Sequence, residues 1–169
     1  MQSNMTQELL EKELPVPQTS TLTAARADAQ QTYFDVLIVG AGISGIGAAY
    51  HLSHQAPGKS FAILESKDGF GGTWITHTYP GVRSDSDLYT FGYRFKPWVG
   101  APIASAEEIL KYMGEVIEEN GIGDHIRYGH TITHCSWSSA DNLWTVEAIS
   151  KADGKTHFFT CNFLWMCQG

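Results

Sequence analysis

Apolar residues gather into a few short blocks along the chain, and the period within each block predicts an element. Residues 34–39, FDVLIV, are apolar at almost every position, the pattern of a parallel strand buried on both faces. A small-residue run follows, and the spacing predicts a helix from about Ile43 to Ser53. Residues 61–65, FAILE, form a second continuous apolar block. Strand, tight turn, helix and strand within about 30 residues make a βαβ unit, with a right-handed crossover. Residues 66–104 lack periodicity but are rich in Gly, Pro and aromatics, which predicts a long ordered loop: Trp74, Tyr79, Tyr89, Phe91, Tyr93, Phe95 and Trp98 argue against disorder.

A second helix is predicted from Ser105. SAEE is a capping box, in which Ser105 caps and Glu108 reaches back. Ile109, Leu110, Met113, Val116 and Ile117 share one face, and Asn120-Gly121 ends the helix. Residues 126–162 alternate apolar and polar positions in three stretches and read as a β-meander, with a hairpin signal at Asp153-Gly154. FLWMC, just before Gly169, reads as one more short buried strand. Residues 1–33 are polar, with Pro15 and Pro17, and read as an extension carrying one short helix near residues 6–13. It is either a loose arm or a docking segment. The domain proper is then 34–169, and the fold class is α/β.

Composition narrows the function. The chain is 43% hydrophobic and 17% charged over 169 residues, enough for a packed core. Its formal charge of −7 argues against nucleic acid, which needs a basic face. Cys135, Cys161 and Cys167 form no C-x-x-C pair, the usage of reduced thiols in a cytoplasmic protein. No apolar run approaches the ~20 residues of a membrane helix, and the N-terminus lacks the basic start and apolar stretch of a secretory signal. His51 and His54 sit at helical spacing with no further ligand nearby, so they read as solvated side chains and no metal is expected.

Gly40, Gly42 and Gly45 stand in a G-x-G-x-x-G frame between the first strand and its helix. The first glycine permits the turn, the second lets a pyrophosphate approach the backbone, and the third lets the helix pack closely. The helix N-terminus then offers free N–H groups to the phosphates, which is how an acidic protein can hold an anion. Glu65 lies twenty residues beyond Gly45, at the end of the second strand, where a carboxylate accepts hydrogen bonds from a ribose diol. It would repel a 2′-phosphate. FAD and NAD both carry the free diol.

The stretch after Glu65 separates them. G-G-T-W at 71–74, then Y-P-G-x-R-S-D-S-D at 79–87, then an aromatic run ending R-F-x-P-W at 94–98, together resemble the flavin-dependent monooxygenases of the Baeyer–Villiger and flavin-containing monooxygenase group, including bacterial enzymes of the ethionamide-activating type. The resemblance covers about residues 34–169. It implies a Rossmann-like FAD/NAD(P)-binding domain of parallel sheet, helices and β-meander. It also implies FAD and NADPH as cofactors, with O₂ and a small-molecule ketone or S/N compound as co-substrates. In that family NADPH reduces the flavin, and a C4a-peroxyflavin inserts oxygen into ketones or oxidises sulfur and nitrogen.

By motif, the resemblance assigns Gly40, Gly42, Ser44 and Gly45 to the pyrophosphate turn and Glu65 to the ribose. Gly72, Thr73 and Trp74 fall to the segment along the flavin, and Arg83 and Ser84 to the nicotinamide rim. Asp85 falls at the reactive side of the flavin, where it sets an arginine from a later domain. Ile132 falls to a backbone contact with the adenine. Ile75, Thr76, His77 and Phe91 depart from the aromatic and polar residues of many relatives. The blander readings stay beside these: Trp74 as packing, Asp85 and Asp87 as loop caps, and Trp137, Trp144 and Trp165 as strand-face residues.

Enzymes of that family are considerably longer, and the chain has no second G-x-G-x-x-G for NADPH. The resemblance therefore implies the N-terminal part of an FAD domain, incomplete at its C-terminus and inactive alone, whether as a truncated gene product, an expressed fragment or one half of a split enzyme with a complementary chain. The alternative is a noncatalytic FAD-binding or interaction module.

Overall fold

The computed structural model describes residues 31–169, so the short helix expected near residues 6–13 lies outside the described residues. The first strand, β1 (Thr32–Val39), starts two residues earlier than the apolar block, inside the segment read as an extension. The polypeptide continues through α1 (Ile43–Gln55), β2 (Phe61–Leu64), two one-turn helices α2 (Thr73–Thr76) and α3 (Leu88–Phe91), and the longer α4 (Ala106–Glu119). A 3₁₀ turn (Ile122–His125), β3 (Ile126–Arg127) and the strands β4 (His130–Ser138), β5 (Leu143–Ser150) and β6 (Thr156–Met166) complete the chain.

One six-stranded sheet runs in the order β3-β2-β1-β6-β5-β4. β1 pairs in parallel with both β2 and β6, and β2 with β3, while β4, β5 and β6 pair antiparallel. Alternation along β1 decides what each face buries. Val36 and Ile38 pack with Ile46 and Ala49 of α1 and with Ile109, Met113 and Val116 of α4. Leu37, one position out of phase, packs with Ala62 and Leu64 and with Val146, Ala148, Phe159 and Cys161 of the meander. Helices thus cover one face of β1 and β2 and the meander covers the other, which is why both strands are apolar without alternation.

The capping box forms at Ser105. Its Oγ accepts from the Glu108 N–H at 3.3 Å, and the Ser105 N–H donates to Glu108 Oε2 at 2.8 Å. That backbone bond, with the Ser105 hydroxyl, holds the Glu108 carboxyl below its usual range. At the other end the chain leaves through Asn120 and Gly121, the latter at φ +62°.

Two expectations are corrected. Ile126-Arg127 do not begin the meander; they extend the parallel sheet beside β2, and the meander starts at His130. FLWMC is not a separate buried strand either. THFFTC and FLWM belong to one eleven-residue strand, which pairs with β5 over Thr156–Cys161 and with β1 over Phe159–Met166. A strand that serves both layers shows no break in sequence. Its last part is also open, with Phe163 56% and Trp165 38% exposed.

The long 66–104 segment is ordered by stacking, as its aromatics imply. Tyr50 of α1 stacks on Phe95 with ring centroids 3.4 Å apart, Phe95 on Tyr93 at 4.7 Å, and Tyr93 on Tyr112 of α4 at 5.6 Å. No described helix is long and apolar enough to cross a membrane.

Candidate dinucleotide-binding site

The chain leaves β1 through Gly40, whose φ of +97° lies in the left-handed region that favours glycine. Its N–H bonds the Leu64 carbonyl at 2.8 Å, which ties the turn to β2. Gly45 sits against the turn itself: a Cβ there would lie 1.9 Å from the Gly40 carbonyl oxygen. Gly42 is different. Its backbone is extended (φ −80°, ψ −173°), and a Cβ would meet only the Cα of Gly72, at 3.6 Å. Gly72 in turn has φ +54°, and its Cβ would sit 3.1 Å from the Gly42 Cα. Two glycines from separate loops therefore face each other as bare backbone.

Helix α1 opens directly beyond this floor. The described residues supply neither a side-chain cap nor an acidic residue in its first turn. The leading N–H groups of an α-helix have no partner within it, and they carry the positive end of the macrodipole. Ser44 stands exposed in that first turn.

Glu65 closes the other side, 6% exposed at the end of β2. Its Oε2 accepts from the Ala41 N–H at 2.8 Å, and its Oε1 accepts from the Lys67 N–H at 2.9 Å and from the Ser66 hydroxyl at 3.2 Å. A carboxylate has about four acceptor sites. Three are used in holding the two loops, which leaves one for a ligand hydroxyl. Tyr128 belongs to the same corner, between Arg127, whose carbonyl accepts the Glu65 N–H at 3.0 Å, and Gly129, whose N–H donates to the Lys67 carbonyl at 3.0 Å; burial first, and then the Glu65 charge, push its phenol above its ordinary range. Nothing in its sequence neighbourhood marks it.

The Glu65 carbonyl also accepts the His130 N–H at 2.8 Å, which docks the start of β4 here. Ile132 follows two residues later, half-buried against the meander-side core, just before a register shift in β4.

Gly71 binds the glycine turn through its N–H to the Ala41 carbonyl at 2.9 Å. Gly72 then caps α2, which carries exposed Thr73 and partly buried Trp74. Trp74 meets Phe91 edge-on at 6.2 Å and packs against the helix-side core. Its packing role is thus real.

The Arg83–Ser84–Asp85 strip is held at the start of α4. Arg83 pairs with Ser105 as a short antiparallel bridge and bends its Nε to the Gly81 carbonyl at 3.2 Å. Ser84 points inward, 4% exposed; its N–H donates to the Ala104 carbonyl and its Oγ accepts the Ala104 N–H. The hydroxyl expected at a rim is therefore used within the protein. Asp87 caps α3 by accepting the Thr90 N–H at 2.9 Å. Asp85 is exposed, with no hydrogen-bond or ion-pair partner among the described residues. The two acids thus divide: Asp87 is a cap and Asp85 is not.

The structure brings Gly40, Gly42, Ser44, Gly45, Glu65 and Gly72–Trp74 around one turn. Bare backbone, uncapped amides and a carboxylate with one free acceptor site fit the pyrophosphate and adenosine ribose of a dinucleotide such as FAD.

Comparison with known proteins agrees. Residues 38–99 match the NAD(P)-binding Rossmann-like domain family. The FAD-containing monooxygenase EthA of Mycolicibacterium smegmatis is 49% identical over 138 residues, covering 81% of this chain and 28% of the relative. Among solved structures, an oxidized steroid monooxygenase bound to NADP superposes with a TM-score of 0.72 at 28% identity, covering 82% of this chain and 26% of that one. The OTEMO complex with FAD and NADP superposes at 0.70 with 29% identity, covering 80% and 26%. The chain spans about 28% of the length of the curated M. smegmatis relative. Over that span the chain is similar to the FAD-containing monooxygenases and shares the Rossmann-like fold of their solved counterparts.

Proposed function

We propose that the described residues are the FAD-binding front of an NADPH- and O₂-dependent flavin monooxygenase. The observation that carries this reading is the bare floor made by Gly42 and Gly72 before the uncapped amides of α1, with Glu65 beside it. Gly40, Gly42, Ser44 and Gly45 take the pyrophosphate, and Glu65 takes the ribose with its remaining lone pair. The backbone of Ile132 borders the adenine. Gly72, Thr73 and Trp74 orient the isoalloxazine, with Trp74 braced by Phe91. Arg83 and the Ser84 backbone border the nicotinamide. Asp85, the acid that is not a cap, pairs with a cationic group brought to the reactive side. FAD, when bound, supplies the redox chemistry that accepts hydride from NADPH and passes oxygen from O₂ to a ketone, sulfur or nitrogen of a small molecule.

A chimera tests this. The matching segment of the M. smegmatis relative is replaced by this chain's, and NADPH-dependent O₂ uptake is measured with a ketone and a sulfide. A flavin-loaded chimera that oxidises NADPH and yields ester or sulfoxide is the expected result. A folded chimera that holds FAD without turnover would favour the noncatalytic binding module. A folded chimera without flavin would overturn the assignment.

A further inference from the structure

We infer that Tyr93 is a positioning residue for the pyrophosphate site, acting on it from the aromatic segment fifty residues away in sequence; this rests on the FAD reading above. The Tyr93 hydroxyl donates to the carbonyl oxygen of Ile43 at 2.6 Å. Ile43 is the first residue of α1, so its carbonyl and the Ser44 N–H belong to one peptide unit. In a helix that carbonyl already accepts from the residue four positions on, so the phenol adds a second bond. A hydrogen bond to a peptide oxygen polarises the unit and strengthens its N–H as a donor; chains of such bonds gain roughly 10–30% each. The strengthened donor is the Ser44 N–H, one of the leading amides that face the anion.

The phenol is fixed for this task. Its ring lies between Phe95 and Tyr112, stacked at 4.7 and 5.6 Å. Its edge meets α1 at Gly47, where a Cβ would come within 3.0 Å of Tyr93 Cε1. Its own N–H is held by the Tyr112 hydroxyl at 2.8 Å, and that hydroxyl donates to the Lys96 carbonyl at 2.6 Å. Burial, and then the neighbouring Tyr112, hold the Tyr93 phenol well above its ordinary range, so it stays a donor. Tyr89 supplies the natural control: it belongs to the same aromatic segment, but its hydroxyl donates to the Gly100 carbonyl at 2.6 Å and not to the glycine turn.

The test compares Tyr93→Phe and Tyr89→Phe in the whole chain. FAD affinity is measured by fluorescence titration, and the pyrophosphate environment by ³¹P NMR of bound FAD. Each variant loses a hydroxyl and keeps its ring, so both should stay folded. Tyr93→Phe alone should weaken FAD about 2- to 4-fold, roughly 30% of one charge-assisted hydrogen bond, and shift the ³¹P resonances. Tyr89→Phe should keep wild-type affinity, with unshifted resonances. Wild-type affinity and ³¹P shifts in Tyr93→Phe, or equal weakening in both variants, would overturn the inference while leaving the FAD site standing. Failure of the unmodified chain to bind FAD would overturn the site itself, and the inference with it.

Discussion

Gly42→Val is expected to abolish flavin binding while leaving the fold in place. The backbone at Gly42 is extended, at φ −80°, so any residue adopts it. The nearest atom to a new Cβ is the Gly72 Cα at 3.6 Å, ordinary van der Waals contact. A Cβ therefore costs the protein little. On the proposed FAD reading it takes space on the floor where a pyrophosphate would come closest to the chain. Gly42→Ala should weaken FAD by at least about tenfold, more than 1.4 kcal/mol, and Val should take retention below detection. Circular dichroism and flavin absorbance on the same sample check both halves. Wild-type flavin retention in Gly42→Val would remove the pyrophosphate from this turn.

Gly45→Ala, three residues on, is expected to do the reverse and break the fold itself. Its Cβ would stand 1.9 Å from the Gly40 carbonyl oxygen, 3.1 Å from the carbonyl carbon and 3.4 Å from Ile38 Cγ2. The first two are backbone, so no rotamer relieves the clash. Relief requires α1 to move off β1, which opens the helix-side core around Ile38, Ile46 and Ala49. Overpacking commonly costs 1–3 kcal/mol, and a backbone clash of this depth should cost about 4 kcal/mol or more, against a total of about 5–15 for a domain. Denaturant titration should show a much lower midpoint or no cooperative transition. A wild-type midpoint would mean that the helix does not pack on the turn as described.

The contrast explains why the glycine motif was legible in sequence. Both requirements are local: the turn, helix and strand lie within one βαβ unit, and their spacing alone names the crowded and the open position. The strands β1 and β2, the helix α1 and the capping box of α4 were legible for the same reason. What failed were features set by pairing across the chain. β6 joins two apolar stretches because it pairs with β5 over Thr156–Cys161 and with β1 over Phe159–Met166, and the overlap at Phe159–Cys161 leaves no break for the sequence to signal. β3 is two residues long, and its parallel partner β2 lies more than sixty residues earlier. The one-turn helices α2 and α3 are too short to show a period.

The site shows the same division. Spacing puts Glu65 at the end of β2, but it does not show its grip on the Ala41 and Lys67 amides. The backbone bonds of Arg127, Gly129 and His130 to Glu65 and Lys67, which bring in Tyr128, and the Tyr93 bond to Ile43 have no sequence signal, since each depends on where a distant segment docks. The inward turn of Ser84 follows from its bridge to Ala104, twenty residues on, and so could not be read from R-S-D alone.

The most direct test of the central claim is the visible absorption spectrum of the purified 169-residue chain after incubation with FAD and desalting. Flavin bands that elute with the protein, in near-equimolar amount and lost in Gly42→Val, are the predicted result. A folded, colourless protein would contradict it, because the backbone floor at Gly42 and Gly72 would then hold no flavin.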